Sequence, residues 1–115
     1  MNILRALSSF RQTSGPSRRH SRHECFIPAR MHFLDHGFDM DGFVDEISLS
    51  GLRFRPAQLY LMRRTSSIVR IRAGDMDFVG ILRNASPKGY GIELRMHLDE
   101  QILDDLIAEH PPVNR

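Results

Sequence analysis

From residue 24 to residue 33 the chain alternates. Cys25, Ile27, Ala29, Met31 and Phe33 fall on one parity, and Glu24, Phe26, Pro28, Arg30 and His32 on the other. A period of two predicts a strand with one buried face. Pro28 has no N–H for a ladder, which predicts a sheet edge or a bulge there. Asp35-His36-Gly37 signals a turn, residues 43–47 read as a second strand, and Ser48-Leu49-Ser50-Gly51 as a tight turn in which Gly51 supplies a positive φ. Leu52 and Phe54 alternate with Arg53 and Arg55 in a third strand that stops at Pro56. Residues 67–72 predict a fourth strand, ended by Ala73-Gly74-Asp75. Met76, Phe78, Gly80 and Leu82 are the inward set of a fifth, residues 84–89 read as a loop, and Tyr90, Ile92, Leu94 and Met96 are the inward set of a sixth.

After residue 97 the period changes. Leu98, Ile102, Leu103, Leu106 and Ile107 form one apolar stripe, with acids near its start and Pro111-Pro112 beyond its end. This predicts an amphipathic helix that caps one mouth of a barrel. The fold expected is therefore all-β: a six-stranded antiparallel, Greek-key-like barrel with a C-terminal helix, spanning residues 18–110. Residues 1–17 read as an N-terminal tail interrupted by Ser-Gly-Pro-Ser at 14–17, and residues 111–115 as a short C-terminal one.

Composition narrows the class of function. At 115 residues the chain has room for one domain, and no apolar run is long enough to span a bilayer. The first 15 residues are too rich in Arg for a secretory leader, and Cys25 is the lone cysteine, so a cytoplasmic setting is expected. Net charge is only +2, but residues 1–30 carry six Arg against Glu24, and all basic residues except Lys88 are Arg. A guanidinium offers a planar fork for phosphate or a guanine edge and a face for stacking, which points to an anionic partner. His20, His23 and Cys25 lack the spacing of a zinc site, and Asp39-Met40-Asp41-Gly42 fails as a calcium loop. No nucleophile elbow, Walker or dinucleotide fingerprint occurs, so no enzymatic role and no cofactor are expected.

Two features then converge. Arg18-Arg19-His20-Ser21-Arg22 is an R-x-x-x-R segment just ahead of the first strand, and Glu46-Ile47-Ser48-Leu49-Ser50-Gly51 lies at the turn after the second, with 24 positions between Arg22 and Glu46. Order and spacing resemble the PilZ domain, a small β-barrel receptor for the bacterial second messenger cyclic di-GMP. Gly89-Tyr90-Gly91-Ile92-Glu93-Leu94 is similar to that family's Gly-rich last strand. The resemblance implies that Arg18, Arg19 and Arg22 grip the ligand, that Glu46 accepts from a guanine edge, that Ser48 makes a polar contact, and that Gly51 and Gly91 allow close approach. It also implies a leader that orders on binding, and a downstream protein partner in motility, biofilm or exopolysaccharide control. Where the family has Asp or Asn, this chain has Glu46, whose extra methylene carries the acceptor oxygens about 1 Å further out. Asp45 is adjacent, but strict alternation assigns it to the opposite face.

A different class of function uses the same barrel as an adaptor that binds no nucleotide and works through protein contacts. Nucleic acid is disfavoured as partner, because base stacking needs exposed aromatics and the chain has no Trp and two Tyr.

Overall fold

The structure is a computed structural model in which residues 20–35, 37–58 and 66–113 are described. The alternating stretches form β1 (His23–Phe33), β2 (Phe38–Ile47), β3 (Gly51–Pro56), β4 (Ile68–Ala73), β5 (Met76–Ser86) and β6 (Gly89–Leu94), followed by one helix, α1 (Glu100–Glu109). All neighbours pair antiparallel, and the sheet closes in the order β1-β2-β3-β6-β5-β4. Because β4 returns beside β1, the first four strands lie in the spatial order 4-1-2-3 of a Greek key. The expected tail, residues 1–17, lies outside the described residues, as do Arg18 and Arg19.

The inward parity fills the barrel. Ile27, Met31, Phe33, Val44, Phe54, Val69, Ile71 and Leu82 have no solvent exposure, and Leu103 and Leu106 of α1 join the same core. The helix thus packs one face on the barrel while Ile102, at the border of its stripe, stays exposed. Pro28 sits where its missing donor costs least. The β1–β4 ladder begins one residue later, at Ala29, and a register shift between Glu24 and Ile27 precedes it. Opposite that unpaired rim the Phe26 N–H donates to the His110 carbonyl just past α1, at 3.1 Å.

Three boundaries differ from the pattern. β2 begins at Phe38 rather than at residue 43. Its Asp39 and Asp41 face outward and pair with His32 and Arg30 of β1, which offsets their poor strand propensity. Residues 84–86 belong to β5 instead of a six-residue loop, because the ladder continues through Asn84–Gly91, Ala85–Tyr90 and Ser86–Gly89. Finally, β6 stops at Leu94, so Met96 is 80% exposed instead of inward.

Cys25 is buried beneath the β2 bulge, with its Sγ 3.6 Å from the Val44 carbonyl. Burial above all, reinforced by Asp45 and Glu46, pushes the thiol up to about 12. The folded thiol therefore keeps its proton at pH values where the unfolded one, titrating at about 8.5, has lost it. Below about pH 8.5 that contribution to stability is complete, and it falls as pH rises toward about 12. Urea midpoints measured from pH 8 to pH 11 should drop further for the native chain than for Cys25→Ala. Parallel curves would show that the thiol does not titrate on unfolding.

Candidate functional site

Two bulges shape the outer face of the barrel at one end. In the β2–β3 ladder Val44 pairs with Phe54 but Glu46 pairs with Arg53, so Asp45 is an extra residue. Val44 and Ile47 are both buried, and the two acids between them both stay out of the core. This corrects the expectation for Asp45, because one inserted residue cancels the alternation. In the β5–β6 ladder Leu82 pairs with Ile92 and Asn84 with Gly91, leaving Arg83 as the extra residue. Arg83 and Asn84 are consequently both exposed.

Between these bulges β3 and β6 form the floor of a groove of about 560 Å³. Arg53 pairs with Gly91 and Gly51 with Glu93, so one row runs Glu46, Arg53, Gly91, Asn84 across four strands. Gly51 is glycine for a reason other than the one expected. Its φ is not positive; a Cβ there would sit 2.8 Å from the Ile92 backbone carbonyl, so only glycine lets β3 approach β6. At Gly91 a Cβ would meet the Asn84 side-chain amide at 2.8 Å.

Of the residues singled out from the sequence, Arg22, Glu46, Ser48, Gly51 and Gly91 all line this groove. Arg22 Nη1 lies 3.2 Å from Glu46 Oε1, an ion pair between the segment preceding β1 and the corner of β2. The extra methylene of Glu46 reaches toward the arginine. Ser48 is only 5% exposed, and its hydroxyl works within the turn. Its oxygen accepts from the N–H groups of Ser50 (3.2 Å) and Gly51 (3.1 Å) and lies 3.3 Å from the Gly51 carbonyl, which the Ser48 N–H also reaches at 2.8 Å. The β2–β3 turn is therefore cross-braced by one serine, while Ser50 lines the groove from the same turn. Backbone bonds from Leu94 to the Ser50 carbonyl (2.9 Å) and from Leu98 to the Leu49 carbonyl (2.8 Å) tie the turn to β6 and to the approach to α1.

No protein-family model and no curated protein matches this chain.

The groove also holds residues that the sequence pattern did not single out. Arg53 is bidentate to Asp45, at 2.8 and 3.1 Å, and that bond lifts the guanidinium above its ordinary pKa against partial burial. Arg83 Nε donates to Glu93 Oε1 at 2.7 Å. His20 and His97 meet edge to face with centroids 5.1 Å apart, joining the segment before β1 to the β6–α1 connection. Lys88, in the β5–β6 turn, completes the basic lining. Arg53 and Arg83 had an outward-parity signal, whereas Asn84 was hidden by the bulge. Among the described residues no three His, Cys, Asp or Glu side chains converge as a metal ion requires, and no helix is long and apolar enough to cross a membrane. Chemically, the groove offers planar donor forks, carboxylate acceptors and a floor opened at Gly51 and Gly91, a combination suited to a flat, polar, anionic ligand.

Proposed function

We propose that this chain is a PilZ-type receptor for cyclic di-GMP and not an enzyme. The reading rests above all on the Arg22–Glu46 ion pair, which joins the two sequence motifs at one groove that Ser48, Gly51 and Gly91 also line. A guanine presents O6 and N7 to a guanidinium, and its N–H edge to a carboxylate. Arg22 and Glu46 are already arranged as such a donor and acceptor, and Arg18 and Arg19 are assigned to the phosphates and the second face by their place in the same motif. Bonds from the β2–β3 turn to β6 and toward α1 give ligand contact at that turn a route to the helix, and hence to a downstream protein partner.

Calorimetric titration with cyclic di-GMP tests the reading. Saturable binding is expected, weakened about tenfold or more in Arg22→Ala, as befits loss of a bidentate base contact. Glu46→Asp should keep or tighten affinity, and Glu46→Ala should weaken it. Indifference to both changes removes Glu46 from the site. A flat titration of folded protein would leave the adaptor reading, in which the Arg22–Glu46 pair simply holds the segment before β1 against the barrel.

A further inference from the structure

The Arg22–Glu46 pair has a counterpart on the opposite flank of the groove. Arg83, on the outward parity of β5 at its bulge, is held by Glu93 of β6 at 2.7 Å, as Arg22 is held by Glu46 beside the β2 bulge. Both pairs line the same groove, and the glycine-bearing β3–β6 ladder lies between them. Arg83 and Glu93 are half exposed, at 52% and 56%, so neither is spent on the core. We propose that Arg83 and Glu93 form a second guanine-reading subsite, taking the other base of a bis-guanine ligand whose first base meets Arg22 and Glu46.

Chemistry and spacing support the assignment. A guanidinium beside a carboxylate complements guanine, whose O6 and N7 accept while its ring N–H and amine donate. Adenine reverses this at two positions, placing an amine where the guanidinium needs an acceptor and a lone pair where the carboxylate needs a donor. The pair is therefore selective as well as attractive. From Glu46 to Glu93 the register counts two strand spacings and two residues of rise, on the order of 12 Å. That separation suits two bases on one ligand, not one base touching both pairs. The β2 bulge contributes to the geometry, since it turns outward Glu46, which alternation from Val44 would have sent inward, while Arg83 already lies on the outward parity of β5.

This subsite rests on the receptor reading above, and one set of titrations separates their failures. Cyclic di-GMP and cyclic di-AMP are titrated into the native chain, Arg83→Ala and Glu93→Gln, with a thermal melt of each variant to verify folding. The native chain should prefer the guanine ligand. Each variant should bind it about tenfold more weakly, and Glu93→Gln should narrow the preference over the adenine ligand. Unchanged or tighter cyclic di-GMP binding in both variants overturns the subsite and leaves the receptor standing. A native chain that binds neither ligand overturns the receptor reading, and the subsite with it.

Discussion

Phe54→Ala is expected to destabilise the barrel by about 3–5 kcal/mol, the range for truncating a fully enclosed aromatic ring. Phe54 has no solvent exposure and sits at the centre of the β2-β3-β6 face, paired with Val44 on one side and Tyr90 on the other. Its ring lies over Gly42, where a Cβ would be 2.7 Å from Cζ, so the nearest wall has no side chain able to move into the space. The cavity should persist, and its full penalty should register. At this chain length the melting temperature should fall by roughly 10–20 °C, and the urea midpoint should drop with little change in slope. Phe54→Leu, which refills most of the volume, should lose far less. A loss below about 1 kcal/mol for the alanine variant would mean that the ring is not in the core.

Gly91→Leu is expected to abolish ligand binding while leaving the fold nearly intact. Gly91 forms the floor of the groove opposite Arg53, and the atoms nearest a Cβ there belong to the amide end of Asn84, an exposed residue that can swing into solvent. The leucine then fills space that a flat ligand needs. Affinity for cyclic di-GMP should fall by about 100-fold or more, ~2.7 kcal/mol at 25 °C. The melting temperature should move by only a few degrees, because a strand tolerates leucine at a half-exposed position. Native-like affinity in this variant, together with the loss expected for Arg22→Ala, would shift the ligand off the β3–β6 floor.

Much of the fold was legible because alternation is local. The inward sets of β1, β3 and β5 are those the parity names, and the helical stripe packs through Leu103 and Leu106 as its spacing implies. Parity fails at the insertions in β2 and β5, and both of these flank the groove. Asp45 and Asn84 were therefore beyond reach, since a bulge depends on the register of a neighbouring strand far away in sequence. The start of β2 was hidden for a related reason: Asp39 and Asp41 are poor strand formers, and their support comes from His32 and Arg30 on another strand. Ser48 and Gly51 were found by motif, but their physical tasks were not visible. The serine braces a turn, and the glycine admits the Ile92 carbonyl, tasks that exist only once β3 lies beside β6.

Closure of the ring has a consequence for how this protein fails. Among the described residues every strand has a neighbour on each side, so the barrel offers a second copy no strand with a fully open edge on which to polymerise. Fibril-type stacking would first require the barrel to part. Its rate in storage or on heating should then track the population of opened molecules rather than collisions between intact ones, so a destabilised core variant would precipitate well before a surface variant of equal hydrophobicity.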